Sequence, residues 1–235
     1  MISFSIIIPA YNEEKYLPNT LRCAENAVNN VKQTGEIIVV DNNSTDNTAE
    51  IVNEFGAKLV FEKHNQISKA RNSGAKAAEG KFLIFLDADT IISPELLSAA
   101  LENMENGKCC GGGCKIEIDR KLPFSAQKFK EFWDWLSVKL SLAAGCFVYC
   151  TREGFESVGG FNEKIYASEE IWFSRKLTKW GKNKNLDFKI ITDIPVITSG
   201  RKLDSTFKLW SSMLTILFFP FAIFFRRLCP HWYKK

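Results

Sequence analysis

The sequence lacks both of the glycine motifs that commonly cradle phosphate groups, G-x-G-x-x-G and G-x-x-x-x-G-K-[ST]. Gly111-Gly112-Gly113 has no lysine or helix pattern after it, so these glycines indicate a turn or a closely packed strand. If the protein binds a phosphorylated ligand, the phosphate charge must therefore be met by a metal ion and by side chains.

Histidine is scarce, and neither of the two histidines lies near Cys110, Cys114, Cys146 or Cys150. The seven cysteines are an odd number in a chain of 235 residues, which argues against a disulfide framework. Two pairs have C-x-x-x-C spacing, Cys110 with Cys114 and Cys146 with Cys150. Buried free thiols are favoured for them over a metal site, which is the less favoured alternative.

Residues 1–9 lack the basic leader of a secretory signal peptide, so we expect a cytoplasmic protein. The net charge of +4 is small and its basic residues are scattered, so nucleic acid is not an expected partner. A length of 235 residues with 46% hydrophobic side chains suits one α/β domain with a short appendage.

Short apolar runs alternate with amphipathic helix patterns over the first ninety residues. The runs predict strands over residues 4–8, 37–40, 58–61 and 82–86, and a later one over residues 188–192. Helices are predicted to begin near residues 18, 46, 66, 93, 124 and 168. Because the early strands are apolar throughout, they predict a mostly parallel sheet with helices on both faces.

Polar and acidic residues follow three of the predicted strands. The first strand leads into Pro9, Tyr11 and Glu13, the second into Asp41, and the fourth into Asp87-Ala88-Asp89. Ligands of such sheets bind at the carboxyl ends of the strands. We therefore expect a binding site along this edge.

Asp87 and Asp89 are separated by one residue on a segment that the pattern predicts to be extended. Their carboxylates would then point to the same side. Carboxylate oxygens suit a hard divalent cation such as Mg²⁺ or Mn²⁺. A solvated loop with acidic caps is less favoured, because the pair directly follows a buried strand.

Five segments resemble, in order, the motifs of family 2 glycosyltransferases, which have the GT-A fold. The resemblance covers residues 3 to about 180, in the segments SIIIPAYNEEKYL, EIIVVDNNSTDNT, KARNSGAKAAEGKFLIFLDADT, GGFNEK and SEEIWFSRKL. It implies an inverting transferase that moves a sugar from a nucleotide-diphosphate sugar to an acceptor hydroxyl. It also implies that a metal ion neutralises the leaving diphosphate and that a carboxylate takes the acceptor proton.

The resemblance also implies roles for single residues on the donor side. Asp89 would be the principal metal ligand, Asp87 would lie near the ribose and the metal, and Asp41 would recognise the base. Arg71 would point toward the diphosphate, with a solvated helix arginine as the alternative. The loop on the nucleotide side would include Pro9, Tyr11 and Glu13.

The catalytic base is implied at Glu169-Glu170, where the family usually has Glu-Asp. Glu170 aligns with the aspartate and is the candidate base, with Glu169 as the other possibility. Acidic residues at a helix start are also favoured by the helix dipole alone. Arg201 and Lys202 would clamp the diphosphate from a closing loop, or else form a solvated basic turn.

Residues 209–225 contain no charge and are followed by Arg226 and Arg227. A helix of this length spans about 26 Å, the lower limit for crossing a bilayer. The basic residues favour a segment that attaches peripherally to a membrane surface through residues 209–227, over a true span or an interface helix. We expect a catalytic domain over residues 1–204, an apolar helical segment over 205–235, and a lipid-linked or cell-envelope acceptor.

Two other functions remain open from the sequence. A nucleotidyltransferase would need a glycine-rich and basic loop after the first strand, where residues 9–14 are acidic instead. A non-catalytic protein with a failed active site is kept open by the departure from Glu-Asp at Glu169-Glu170.

Overall fold

The computed structural model describes residues 2–203. The expected C-terminal apolar helix and membrane segment over residues 205–235 lie outside the described residues, so those expectations stay predictions.

Within the described residues, eight strands form one sheet. The strands are β1 Phe4–Ala10, β2 Gly35–Asp41, β3 Lys58–Phe61, β4 Phe82–Leu86, β5 Thr90–Ile91, β6 Cys109–Ile118, β7 Phe147–Thr151 and β8 Asp187–Thr198. Their spatial order is β3-β2-β1-β4-β7-β6-β8-β5.

Half of the sheet, formed by β3, β2, β1 and β4, is parallel as the apolar runs predict. Side chains of β1 alternate between two hydrophobic cores, with Ile6 and Ile8 in one and Ile7 in the other. A strand that buries both faces must be apolar at every position, which explains the continuous runs. The predicted helices on both faces are confirmed.

The other half of the sheet has mixed strand directions. β7 runs antiparallel to both β4 and β6, β8 is parallel to β6, and β5 is antiparallel to β8. Gly111-Gly112-Gly113 lies inside β6, so the closely packed strand is the correct alternative for these glycines. A Cβ atom on Gly112 would collide with the backbone carbonyl of Lys189 in β8.

Seven helices and one short 3₁₀ turn connect these strands in the described part of the chain. They are α1 Leu17–Asn29, α2 Thr48–Glu54, α3 Ile67–Ala77, α4 Pro94–Glu105, α5 Phe124–Leu140, α6 Arg152–Ser157, α7 Glu169–Asn183 and the turn Gly200–Leu203. The hydroxyl of Ser93 caps α4 by accepting the Leu96 N–H at 3.2 Å. α2 begins later than predicted because Asp46 lies outside it and accepts the Thr48 N–H at 3.1 Å.

No helix in residues 2–203 combines the length and the apolar character that crossing a membrane requires.

The cysteines with C-x-x-x-C spacing are buried and not disulfide-bonded, as predicted. Burial raises the pKa of both Cys110 and Cys114 to about 12, which keeps these thiols protonated.

Candidate active site

The loops after β1 and β2 are tied together at one edge of the sheet. Pro9 and Ala10 of β1 lie opposite Val40 and Asp41 of β2. Asp41 is buried at the end of β2, and its carboxylate accepts the Ser44 N–H at 3.0 Å. The two strands therefore bring two of the predicted donor-binding positions, Pro9 and Asp41, to the same edge.

The loop after β1 also carries Tyr11 and Glu13. The backbone N–H of Asn12 donates to Ser44 Oγ at 3.0 Å, and that of Glu13 donates to Thr48 Oγ1 at 2.9 Å. These bonds hold the loop of β1 against the loop of β2.

The segment after β4 is a turn, so the prediction of an extended Asp87-Ala88-Asp89 is wrong. The Thr90 N–H donates to the Asp87 carbonyl at 3.1 Å, and the Thr20 hydroxyl donates to the Ala88 carbonyl at 2.8 Å. The turn forms because β5 starts at Thr90 and must pair with β8. Asp87 contacts Arg71, and Asp89 contacts Arg201.

Arg71 in α3 is buried against the carboxyl end of β4, with only 1% of its side chain exposed. Its Nη1 donates to Glu169 Oε1 at 2.5 Å, and its Nη2 donates to Asp87 Oδ1 at 3.0 Å and to the Gly145 carbonyl at 2.7 Å. Burial alone would lower the pKa of Arg71, but the charges of Glu169 and Asp87 raise it above its usual value. The alternative of a solvated helix arginine is wrong.

Two neighbours of this arginine were missed by the sequence analysis as site residues. Phe161 places its ring 5.1 Å from the Arg71 guanidinium, and its position in the segment GGFNEK could have drawn attention to it. Gly145 lies in none of the five segments that resemble family motifs, so the sequence did not indicate it. A Cβ atom on Gly145 would lie 3.3 Å from Glu170 Cδ, so the glycine leaves room for that carboxyl group.

Glu169 and Glu170 begin α7 and lie in different surroundings. Glu169 is buried and paired with Arg71, and its Oε2 has no hydrogen-bond partner among the described residues. Burial, followed by the charge of Glu169, raises the pKa of the partly buried Glu170 to about 8. The charge of Arg71 opposes this shift, while Asp87 adds to it. The guanidinium of Arg71 thus interacts with three carboxyl groups, those of Glu169, Asp87 and Glu170.

Arg201 reaches the same edge from the turn Gly200–Leu203. Its Nη2 lies 2.6 Å from Glu13 Oε1 and 2.8 Å from Asp89 Oδ2, and its guanidinium lies 4.4 Å above the ring of Tyr16. Only 20% of the Arg201 side chain is exposed, so the alternative of a solvated basic turn is wrong for this residue. Lys202 follows in the same turn.

Asp87 and Asp89, which follow β4, each have one carboxylate oxygen that could bind a cation. Arg71 binds one oxygen of Asp87 and Arg201 binds one of Asp89, and within residues 2–203 no hydrogen bond reaches the second oxygen of either. The described residues contain no group of three or more His, Cys, Asp or Glu placed to hold a metal ion. Mg²⁺ is typically held by one or two carboxylates with water and substrate phosphates, so this donor set fits a hard cation.

Comparison with known proteins gives a family match over most of this site. Residues 5–159 match glycosyl transferase family 2. The matched range contains the loops after β1 and β2, Arg71, and both aspartates after β4.

Two curated relatives are similar over most of the described chain. Chondroitin synthase of Escherichia coli is 27% identical over 193 residues, which are 78% of this chain and 27% of that protein. A dolichyl N-acetyl-alpha-D-glucosaminyl phosphate glucuronosyltransferase of Methanococcus voltae is 31% identical over 189 residues, 72% of this chain and 56% of that protein. This chain therefore spans less than two thirds of the length of either relative.

A solved structure supports the fold. The mannosyltransferase PcManGT from Pyrobaculum calidifontis, in complex with GDP-Man and Mn²⁺, matches with a TM-score of 0.65 and 21% identity. The match covers 89% of this chain and 59% of that one. The predicted GT-A class of α/β fold is confirmed.

Proposed function

Since the chain belongs to glycosyl transferase family 2, we propose that it is an inverting glycosyltransferase, which moves a sugar from a nucleotide-diphosphate sugar to an acceptor hydroxyl. The observation that supports this most is the pair of charge clusters that meets the segment after β4: buried Arg71 binds Asp87 and lies close to Glu170, and Arg201 binds Asp89. Departure of a nucleoside diphosphate requires positive charge, and attack by a hydroxyl requires a base.

The nucleotide side of the donor is proposed to bind at the loops after β1 and β2. Asp41 would recognise the base, since its carboxylate is fixed by the Ser44 N–H at the end of a buried strand. The register of β1 and β2 and the bonds between their loops support a single binding surface. The proposed nucleotide-side residues of the first loop are Pro9, Tyr11 and Glu13.

A divalent cation, Mg²⁺ or Mn²⁺, is proposed to bind at Asp89 with help from Asp87. The support is the donor set of two carboxylates, each with an oxygen that bonds to no described residue, and the Mn²⁺ bound in PcManGT. When bound, the ion would supply positive charge for the leaving diphosphate.

Arg71 is proposed to act as a positioning residue rather than to contact the diphosphate. Its guanidinium already donates to Glu169, Asp87 and the Gly145 carbonyl, and its side chain is almost fully buried. These bonds fix Asp87 relative to the start of α7. The distance between the cation site and the base therefore depends on Arg71.

Glu170 is proposed as the base that accepts the proton of the acceptor hydroxyl. The ion pair of Glu169 with Arg71 engages that carboxylate, whereas Glu170 has a raised pKa and so a higher proton affinity near neutral pH. This contrast favours Glu170 over Glu169. It also argues against a failed active site, because the glutamate that replaces the usual aspartate still meets Arg71 and Gly145.

The acceptor is proposed to be a lipid-linked or cell-envelope glycan. The name of the Methanococcus voltae relative specifies a dolichyl-phosphate-linked sugar as its acceptor. We further propose that residues 1–204 form the catalytic domain, and that residues 209–227 attach it to the cytoplasmic side of a membrane. Deletion of residues 205–235 should then move the protein from the membrane fraction to the soluble fraction, and unchanged partitioning would refute the attachment.

The reaction can be tested with the purified chain, a panel of nucleotide sugars and Mn²⁺. A true donor should raise the melting temperature and, with water in place of the acceptor hydroxyl, release a nucleoside diphosphate and free sugar. A nucleotidyltransferase, supplied instead with a nucleoside triphosphate and a sugar phosphate, would release pyrophosphate. Asp89→Asn should abolish the thermal shift, whereas Glu170→Gln should keep it and lose transfer. Glu54→Gln, at an exposed position of α2, is the matched control. Absence of nucleoside diphosphate release with every donor would count against the proposal.

A further inference from the structure

Arg201 joins two carboxylates that come from different loops. A single nitrogen, Nη2, lies 2.6 Å from Glu13 Oε1 of the β1 loop and 2.8 Å from Asp89 Oδ2 of the β4 turn. The carboxylate side chains are 8% and 4% exposed, so both negative charges are almost removed from water. Such charges require a cationic partner, and Arg201 supplies it in this structure.

We propose that Arg201 is a built-in counter-cation of Glu13 and Asp89, that a divalent cation displaces it, and that the released guanidinium then binds the donor diphosphate. This inference rests on the proposed function, because it assumes the cation site at Asp89. The resemblance implies only that Arg201 binds the diphosphate. The proposal adds that Arg201 first binds the carboxylates of Glu13 and Asp89 and binds the diphosphate afterwards.

Displacement follows from electrostatics at Asp89. A divalent ion bound to this carboxylate would bring two positive charges close to the guanidinium, and like charges repel strongly where burial lowers the effective dielectric constant. The ion would use the other oxygen of the same carboxylate, so both cations depend on the single negative charge of Asp89. Their binding to Asp89 is therefore antagonistic, and Arg201 must weaken the affinity for the ion.

The attachment of Arg201 to the fold permits this exchange. The Ser199 N–H donates to the Asp89 carbonyl at 3.2 Å, and the Gly200 N–H donates to Asp119 Oδ1 at 2.9 Å. These backbone bonds hold the start of the turn at the site without using the guanidinium. The long side chain of Arg201 can thus change partners while its backbone stays beside Asp89.

The first test measures Mn²⁺ binding to the full chain without any nucleotide, from the electron paramagnetic resonance signal of free Mn²⁺. Arg201→Gln should bind Mn²⁺ on the order of tenfold more tightly than the wild type, because a competing partly buried ion pair is removed. Arg22→Gln, which changes an exposed arginine of α1, is the matched control and should bind as the wild type does. Asp89→Asn should lose most of the binding.

The second test measures the affinity of UDP and of GDP, separately, at saturating Mn²⁺. Whichever nucleotide binds the wild type should bind Arg201→Gln about tenfold more weakly, because a charge-assisted contact to the diphosphate is lost. The variant would then bind the metal more tightly and the nucleotide more weakly. A loss of structure would weaken both, so the opposite signs separate this role from a merely structural one.

The outcomes distinguish the inference from the proposed function. If Asp89→Asn loses Mn²⁺ binding but Arg201→Gln binds it no more tightly than the wild type, the inference is wrong and the cation site stands. If neither variant changes Mn²⁺ binding, the cation site itself is wrong. Tighter Mn²⁺ binding with unchanged nucleotide affinity would confirm the counter-cation and refute the transfer to the diphosphate.

Discussion

Arg71 and Glu169 form a buried ion pair whose Nη1 and Oε1 atoms are 2.5 Å apart. The pair connects α3 to the first residue of α7, and the same guanidinium holds Asp87 at the end of β4. One side chain therefore fixes both the proposed cation site and the start of the helix that carries the proposed base. A buried ion pair of this kind is costly to break, because the remaining charge keeps no partner.

Replacement of Arg71 by methionine should lower the free energy of unfolding by about 3–5 kcal/mol, because Glu169 would stay buried, and Asp87 partly buried, without a cation. Urea denaturation would measure this loss. The double variant Arg71→Met/Glu169→Gln should recover part of it, since one of the unpaired charges is removed as well. Arg22→Met is the surface control. A single variant as stable as the wild type would contradict the structural role.

Glu170→Gln should increase stability at alkaline pH. The pKa of Glu170 is about 8 in the folded chain and 4.5 as the ordinary value, so between these values the unfolded chain loses a proton that the folded chain keeps. Wild-type stability therefore falls as the pH rises from 4.5 to 8, and glutamine avoids this loss. The variant should be on the order of 4 kcal/mol more stable at pH 8, because each pKa unit is worth about 1.4 kcal/mol, and about equal below pH 4.5.

Thermal unfolding of wild type and Glu170→Gln at the two pH values would measure this difference, with Glu54→Gln as the exposed control. A difference that does not change with pH would mean that Glu170 is not held protonated by its surroundings. The same variant should lose at least a hundredfold in transfer rate, the ordinary contribution of a general base. Gain of stability with loss of activity would place Glu170 among the residues whose strain serves function.

The parallel half of the fold was predictable because its signals are local. β4 is apolar at all five positions, and each of its side chains is buried, so the run identifies a central strand without further information. The acidic residues that follow it then mark the edge of the sheet at which we propose that the donor binds. The mixed half gave weaker signals, since β6 begins with cysteines and glycines and β7 pairs antiparallel with strands on both sides.

The partners of the site residues could not be predicted, because they are distant in sequence. Arg201 and Glu13 are separated by 188 positions, and Arg71 and Glu169 by 98. Residue types indicate which charged groups are present, but only the folded sheet determines which of them come into contact. Sequence patterns alone therefore left Arg71 and Arg201 open between a site role and a solvated one; burial excludes the solvated alternative for both, and their site roles stay proposals.

Gly145→Ala should reduce transfer about tenfold while the fold stays intact. The added Cβ would lie 3.3 Å from Glu170 Cδ and 3.5 Å from Arg71 Nη2, which is tight enough to shift the carboxyl group by a fraction of an ångström. A displaced base loses rate because proton transfer depends on position. Steady-state kinetics with the best donor would measure the effect.

Gly107→Ala is the contrasting control for that experiment. Gly107 has φ +70° and nothing within 4 Å of an added Cβ, so alanine there strains the backbone away from the site. It should cost about 1 kcal/mol of stability and no transfer activity. If Gly145→Ala also lost only stability, the proposed contact between Gly145 and the base would have no catalytic meaning.

Chelation with EDTA should lower transfer by at least about a hundredfold, because neutralisation of a leaving diphosphate by a metal ion is worth several kcal/mol. Added Mn²⁺ or Mg²⁺ should restore the wild type. Neither ion should restore Asp89→Ala, since that variant lacks the principal ligand and leaves Arg201 with Glu13 alone. Release of nucleoside diphosphate, followed in a coupled assay whose own enzymes are first shown to tolerate EDTA, gives the measurement. Full turnover in a sample that elemental analysis finds free of divalent metal would exclude a catalytic cation, and Arg201 would then be the cation that acts at Asp89.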